Sequence, residues 1–195
     1  MITQSEIIRY LGYGKNVPDE RVMKMIKECS DELESAVVPR HTFRRMKVSV
    51  DGECVTVGSF LMYSKSLAIN LKGCEEVIVF AASLGNAADM LMNRYQKIEV
   101  SRASVMQACA AAMIEDYCDE CQRNIEMALK DEKCHLKPRF SPGYGDLSLE
   151  HQKTILGLLN ANKEVGIFLT EGGMMIPEKS VTAFMGIIRD KYEYT

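Results

Sequence analysis

The chain has 195 residues, of which 47% are hydrophobic and 26% are charged, and this composition predicts a single globular domain. Its formal net charge of −3 argues against a general electrostatic attraction to nucleic acid or to an anionic membrane. No apolar run comes near the roughly 18 residues of a transmembrane helix, and the N-terminus lacks a signal-peptide pattern, so we expect a cytoplasmic protein.

The N-terminal part predicts two helices. The first covers residues 5–13, and the second begins at Pro18 and Asp19 and ends at Pro39, because proline fits the first turn of a helix and interrupts its interior. Apolar residues follow helical spacing in the second helix, so one face of it should pack on a core: Val22, Met25, Ile26, Cys29, Leu33, Ala36 and Val37.

The next segment changes from helical spacing to alternation. The stretch HTFRRMKVSVDGECVTVG, residues 41–58, places Asp51 and Gly52 between two alternating runs, which predicts a β-hairpin. A short helix ending at Gly73 follows, and EEVIVFAASLG, residues 75–85, predicts a buried strand. A helix over residues 86–98 should leave from the end of that strand.

The rest of the chain predicts helices and then strands. A long helix over residues 101–132 is apolar on nearly all sides in its first half, so that half should be central. The tail predicts two or three strands, interrupted by Gly172-Gly173 and by Pro177. Helices and hairpins without regular β-α-β alternation predict an α+β fold, with a twisted, largely antiparallel sheet and flanking helices.

The seven cysteines are scattered and odd in number, which favours free thiols over a disulfide framework. Cys118 and Cys121 form one CDEC pair inside the long helix. A zinc site would more often use two such pairs, so we predict free thiols here. Stoichiometric zinc in the purified protein would show that the alternative is correct.

The stretch RFSPGYGDLSLEHQ, residues 139–152, predicts a rigid loop followed by a helix. Pro142 fixes φ, Gly143 supplies a flexible position, and Ser148 is a suitable N-cap for the amphipathic run that follows. Neither Arg139 nor Tyr144 is needed for this turn. We therefore predict that both are held on the loop to bind a ligand or a partner.

Two glutamates are further candidates. Glu115 lies among small apolar residues, where a buried carboxylate costs several kcal/mol unless it is paired or binds a cation. It could form a structural ion pair, for example with Arg139, or it could await the ammonium or hydroxyl of a ligand. Glu171 ends a predicted strand before a Gly-Gly pair, where the backbone could approach a ligand closely or form a bulged turn.

Three segments, in this order, resemble the activation domain of cobalamin-dependent methionine synthase. CAAAMIEDYCDE resembles its long helix with an inward glutamate. RFSPGYGDLSLEHQKTILGLL resembles its Arg-Pro-x-Pro-Gly-Tyr segment, and VGIFLTEGGMMIPEKSVTAFMG resembles its Leu-Thr-Glu-x-x-x-Met-x-Pro-x-x-Ser-Val segment. The N-terminal half resembles small stand-alone homologues of that domain.

The resemblance implies a binding site for S-adenosylmethionine. Arg139 would bind the ligand's carboxylate, Tyr144 would line the site, and Glu115 would take the amino group. Ser141 and Glu171 complete the predicted site, in which no residue is catalytic and no metal is bound. The chain would be one activation-like domain over residues 1–195, with a helical and hairpin part over about 1–74 and the S-adenosylmethionine site within about 75–195.

The resemblance also implies a function in trans. The chain lacks the cobalamin-binding Asp-x-His-x-x-Gly pattern, so the corrinoid should be bound by a separate methionine synthase. A flavodoxin-like or ferredoxin-like donor would reduce cob(II)alamin by one electron, and the methyl group of S-adenosylmethionine would then be transferred to it. Two alternatives are a reactivation partner of another corrinoid methyltransferase and a scaffold module that has lost the ligand.

Some residues depart from the family pattern. Phe140 replaces a proline of the loop segment, and Met185 and Gly186 stand where the large enzyme has an aromatic pair of its ligand site. The resemblance is therefore closest at the arginine end of the predicted site.

Overall fold

A computed structural model describes residues 4–14 and 16–189 of the chain. The helices, in chain order, are α1 Gln4–Tyr10, α2 Glu20–Ala36, α3 Lys65–Asn70, α4 Asn86–Ile98, α5 Val100–Ala128, α6 His151–Leu159 and α7 Ala161–Glu164. The strands are β1 Arg40–Asp51, β2 Cys54–Val57, β3 Phe60–Tyr63, β4 Glu76–Ser83, β5 Cys134–Leu136, β6 Phe168–Leu169, β7 Met175–Ile176 and β8 Ser180–Arg189.

Six of these strands form one sheet in the order β3-β2-β1-β4-β8-β5, and β6 and β7 form a separate hairpin. Every strand pair is antiparallel. The central strand β4 pairs with β1 on one side and with β8 on the other, and its Phe80 lies opposite both Phe43 and Ala183. The predicted α+β fold with a largely antiparallel sheet and flanking helices is confirmed.

The sheet is covered on both faces, which explains why β4 is apolar and buried from Val77 to Ala82. Phe80 and Ala183 lie in a core shared with α1, α2, α4 and α5, whereas their neighbours Val79 and Phe184 lie in a second core shared with α3, α6 and α7. Because side chains alternate along a strand, each face of β4 and β8 meets one helical layer. The candidate site lies where these two layers meet at the start of β8.

Helix α5 is the longest helix, and most of its first half, from Ala103 to Ile114, is buried as predicted. It ends earlier than predicted, and a 3-10 turn over Lys130–Glu132 leads into β5. Strand β5 has only three residues, which is too short for an alternating pattern to reveal it. Within the described ranges, no helix has both the length and the apolar character needed to cross a membrane.

The structure agrees with the predicted hairpin turn and with the predicted start of α2, but not with the predicted start of α6. Gly52 follows β1 in a two-residue turn at φ +60°, as predicted. Asp19 caps α2 by accepting a hydrogen bond from the Val22 amide at 2.8 Å. The predicted N-cap at Ser148 is wrong, because α6 begins only at His151.

The reason for that error is local. The carbonyl of Ser148 accepts from the amide of His151, three residues later, at 3.2 Å, and the next two residues repeat this spacing. The first turn is therefore tighter than an α-helix. The Ser148 hydroxyl accepts from the amide of Glu150 instead of capping α6.

Candidate functional site

An open cleft of about 510 Å³ lies between α5, the loop before α6 and the first residues of β8. Its lining combines charged, polar and apolar side chains from distant parts of the chain: Glu115, Asp119, Gln122, Pro138, Arg139, Ser141, Pro142, Tyr144, Gln152, Met175, Ser180, Val181 and Thr182. Four of the five residues predicted for the site are among them. The loop 139–144 thus meets the long helix, as the predicted site requires.

Arg139 makes hydrogen bonds with three side chains of α5. Its guanidinium donates to Glu115 at 2.9 Å, to Asp119 at 2.7 Å and to Gln122 at 3.2 Å. Burial alone would lower the pKa of Arg139, but the hydrogen bond with Asp119 and the nearby negative charges raise it. Only 15% of the Arg139 side chain is exposed, so its charge is held in place at the cleft wall.

Glu115 is less buried than its apolar neighbours in the sequence suggest. Its side chain is 38% exposed, because α5 turns this position towards the open cleft while Ile114 and Cys118 face the core. It is also paired with Arg139, which is the first of the two arrangements that the sequence left open. The pair does not by itself decide whether a ligand binds there.

Asp119 and Gln122 line the cleft but were not predicted as site residues from the sequence. They follow Glu115 by four and seven residues, so all three lie on one face of α5. That spacing is a signal that could have found them once Glu115 was suspected. Gln152 and the β8 residues carry no such signal, because only the fold brings them to the cleft.

The other predicted residues differ in position. Tyr144 is 58% exposed at the cleft, and its ring meets that of Phe140 edge-on with 6.2 Å between the centroids. Ser141 lies beside it and is half-buried. Glu171 lies outside the cleft lining, in the exposed turn between β6 and β7. Its part in the binding site therefore stays a prediction.

The two residues that depart from the family pattern at the end of the chain do not line the cleft. Met185 is fully buried in the core beneath α5. A Cβ added at Gly186 would come within 2.6 Å of the Cys74 sulfur and 3.0 Å of Leu71. The structure therefore has no room for an aromatic side chain at Gly186 without rearrangement of the core.

Cys118 and Cys121 are both buried on α5. Burial raises the pKa of each thiol, which disfavours the thiolate that zinc requires. Among the described residues, no group of three or more His, Cys, Asp or Glu side chains is placed to hold a metal ion. The choice between free thiols and zinc stays a prediction for metal analysis of the purified protein.

Asp146 fixes the loop to the N-terminus of α3. Its carboxylate accepts from the Ser64 hydroxyl at 2.6 Å, from the Lys65 amide at 2.8 Å and from the Ser66 amide at 3.0 Å. The hydrogen bond from Ser64, with those from the two amides, lowers the pKa of Asp146. The far end of the site loop is therefore held by an ionised carboxylate.

This anchor predicts a loss of stability in acid. Because the pKa of Asp146 is lower in the folded state, its contribution is complete above its ordinary pKa of 3.8 and is lost as the pH falls below that value. We expect Asp146→Asn to melt at a lower temperature than the wild type at pH 6, with a smaller gap at pH 3. Parallel melting temperatures across this range would contradict the assignment.

Glu115→Gln is expected to cost less than about 1 kcal/mol in the free protein, because the pair is partly exposed and Arg139 keeps Asp119 and Gln122 as partners. A urea melt measures this. A loss of 3 kcal/mol or more would instead mark Glu115 as a structural partner of a buried cation.

A search of curated protein sequences found no match. Among solved structures, the chain resembles the crystal structure of the MetH reactivation domain bound to AdoHcy, with a TM-score of 0.66 and 17% sequence identity. The similarity covers 90% of this chain and 67% of that one, and it establishes a shared fold.

The family model of the vitamin B12 dependent methionine synthase activation domain matches residues 62–194. The match includes the whole cleft lining and all three segments on which the resemblance was based. It covers more than half of the sequence. The chain therefore belongs to the family of vitamin B12-dependent methionine synthase activation domains.

Proposed function

We propose that this protein binds S-adenosylmethionine in the Arg139 cleft and supports reductive methylation of cob(II)alamin held by a separate cobalamin-dependent methionine synthase. The observation that carries the proposal is a guanidinium beside two carboxylates, Glu115 and Asp119, in one open cleft. The neighbour whose fold is shared was solved with AdoHcy bound, which is the demethylated form of this ligand.

The charges of the cleft complement those of the ligand. S-adenosylmethionine carries a carboxylate, an ammonium and a sulfonium, so its net charge is positive. The cleft offers one guanidinium and two carboxylates, and its net charge is negative. In the free protein these groups pair with one another, and the ligand would exchange that pairing for its own: its carboxylate with Arg139 and its ammonium with Glu115.

The partial exposure of both carboxylates makes this exchange feasible. Asp119 is 56% exposed and Glu115 is 38% exposed, so either can turn towards a ligand without being freed from a packed interior. Arg139 is the least exposed of the three, and the loop holds it through the backbone bridge between Phe140 and Phe184. The cation is therefore the fixed point of the site and the carboxylates are its adjustable part.

The proposed reaction requires this chain to position the ligand. Transfer of a methyl group from a sulfonium releases no proton, so no general acid or base is needed in the cleft. When bound to the partner, reduced cobalamin supplies the nucleophile, with the electron coming from a flavodoxin-like or ferredoxin-like donor. This chain would hold the sulfonium end of the ligand in a fixed orientation, and orientation of this kind can replace several kcal/mol of entropic cost.

The open cleft is consistent with a ligand that this chain positions and that reacts with a cofactor on a second protein. Its loop side and the exposed Tyr144 lie at the surface, so one side of a bound ligand would stay accessible to a second protein. A closed pocket would instead suit a ligand that reacts within this chain alone.

The experiment that tests the proposal uses the purified protein with and without a partner. Alone, it should bind S-adenosylmethionine without consuming it, and its visible spectrum should show no corrinoid. Added to a methionine synthase that lacks its own activation domain, with an electron donor, it should restore activity lost to oxidation. Consumption of the ligand by the isolated chain, or no restored activity, would contradict the proposal; activity restored only to another corrinoid methyltransferase would identify that enzyme as the partner.

A further inference from the structure

The two edges of the six-stranded sheet differ in charge. At one edge, β5 lies between Lys133 and Lys137. Charged side chains, and lysine above all, are one of the features by which proteins keep an edge strand from pairing with another chain. At the other edge, β3 lies in the stretch SFLMYS, residues 59–64, which has no charged residue and no proline. Strand β3 therefore lacks the protection that β5 has.

The side chains of β3 are apolar on both faces of the sheet. Met62 is buried in the core shared with α3 and α6. Leu61 and Tyr63 lie on the opposite face, because successive side chains of a strand alternate, and they are 52% and 71% exposed. Covering these two side chains would remove apolar surface from water, which favours association with another protein surface.

The backbone of β3 has hydrogen-bonding groups that point away from the sheet. The amide of Ser64 donates to the carbonyl of Glu53, on the β2 side, at 3.0 Å. Alternate residues of a strand direct their backbone groups to the same side, so the even-numbered residues of β3 bond to β2, whereas Leu61 and Tyr63 direct their amides and carbonyls outward. Within residues 4–14 and 16–189, β2 is the only strand that pairs with β3, and no hydrogen bond reaches these outward groups.

We propose that β3 pairs with β3 of a second copy of this chain, so that two six-stranded sheets join into one antiparallel sheet across a two-fold axis at Met62. In this register, Leu61 of each copy lies opposite Tyr63 of the other. Each such pair exchanges two backbone hydrogen bonds, so every outward amide and carbonyl of β3 gains a partner. The inference does not depend on the proposed function.

The two faces of the sheet determine this register. Opposite residues of an antiparallel pair lie on the same face, so Met62, on the inner face, has to lie opposite another residue of the inner face. A register with Leu61 opposite Met62 would join the outer face of one sheet to the inner face of the other. An axis at Leu61 would place Tyr63 opposite Ser59, which lies in the turn before β3. The axis at Met62 pairs both outward residues within the strand.

A second copy suits this edge for two reasons. The outward donors and acceptors of β3 match their own arrangement after a two-fold rotation, and the contact on the outer face is then between the apolar side chains of Leu61 and Tyr63, with no charge in residues 59–64 to oppose it. A two-fold contact also uses the β3 edge of both copies. The remaining β5 edges are flanked by lysine, so the assembly closes as a dimer.

Sedimentation velocity of the purified chain without ligand tests the dimer. Between about 1 and 200 μM, a range that covers the dissociation constants of small interfaces, the mass should rise from that of one chain to that of two. Leu61→Lys should weaken the dimer about tenfold or more, because it replaces an apolar contact in both pairs by an edge lysine. Ile69→Lys is the matched control, since Ile69 is also exposed but lies on α3, and this variant should dimerise as the wild type does. Both variants should melt at the wild-type temperature in dilute solution.

Amide hydrogen exchange tests the register without any substitution. The amides of Phe60 and Met62 bond to β2 and should be protected at every concentration, whereas those of Leu61 and Tyr63 should exchange quickly in dilute protein and become protected as the dimer forms. A monomer at every concentration would contradict the inference and leave this edge to a different protein. A dimer that Leu61→Lys leaves intact, or one in which the Leu61 and Tyr63 amides still exchange quickly, would contradict it as well.

Discussion

Arg139→Ala should weaken binding of S-adenosylmethionine by about 2–3 kcal/mol, which is roughly 30- to 150-fold. The change removes the cation that would hold the ligand's carboxylate. It also leaves Glu115 and Asp119 without the charge that now separates them, 2.9 and 2.7 Å from the guanidinium. Two unbalanced carboxylates would repel the carboxylate of the ligand as well.

Arg139→Lys should restore only part of the affinity. The guanidinium contacts two carboxylates through different nitrogens, and a single ammonium cannot keep this forked arrangement while binding a third carboxylate. Isothermal titration calorimetry measures both variants. Arg123→Ala is the matched control, because it removes the same charge from an exposed position of α5 outside the cleft lining. Equal affinities in the wild type and both Arg139 variants would exclude this residue from the site.

Gly145→Ala should destabilise the protein by about 2–4 kcal/mol. Gly145 lies in the left-handed region at φ +55°, and an added Cβ would come within 2.5 Å of the Ser66 Oγ and 2.8 Å of the Ser66 Cβ. Rotation of Ser66 could relieve the first contact but not the second. The loop would have to move away from α3, which would break the hydrogen bonds of Asp146 next to it.

Gly52→Ala is the matched control that separates backbone strain from the steric clash with Ser66. Gly52 has nearly the same φ, +60°, in the hairpin turn, and a Cβ there would meet nothing within 4 Å. Gly52→Ala should therefore cost about 1–2 kcal/mol, which is the backbone cost alone. Urea melts of the two variants give the comparison. Equal losses of unfolding free energy in the two variants would mean that the loop does not depend on its contact with Ser66. If Gly145→Ala loses more, it should also weaken S-adenosylmethionine binding, because the site loop has moved.

Local patterns predicted most of the helices and the central strand. The helix over residues 86–98 was predicted with its observed bounds, because its apolar spacing is regular and a buried strand and a glycine precede it. The hairpin at Gly52 was equally clear. Short elements at the sheet edges, β3 and β5, were missed, because three or four residues carry too little alternation to differ from a loop.

Two residues of the candidate site were predictable because the local backbone structure does not require their side chains. Arg139 and Tyr144 stood out because the turn around Pro142 requires neither of them, and the structure places both at the cleft. Thr182 and Gln152 could not be found in this way. Each fits its own strand or helix, and only the long-range pairing of β8 and the packing of α6 bring them to one wall.

The resemblance agrees with the lining of the cleft at Arg139 but not at Met185 and Gly186. It placed the remaining ligand contacts near Met185 and Gly186, yet both are interior positions of the sheet in this chain. The physical lining of the cleft, rather than the aligned positions, is therefore the better guide to further variants.

Calorimetric titration of the wild-type protein with S-adenosylmethionine shows whether the Arg139 cleft binds this ligand. We expect saturable binding of one ligand per chain, weakened about 30-fold or more in Arg139→Ala and unaffected in Arg123→Ala. Absence of binding at millimolar ligand, or binding that Arg139→Ala leaves unchanged, would contradict it.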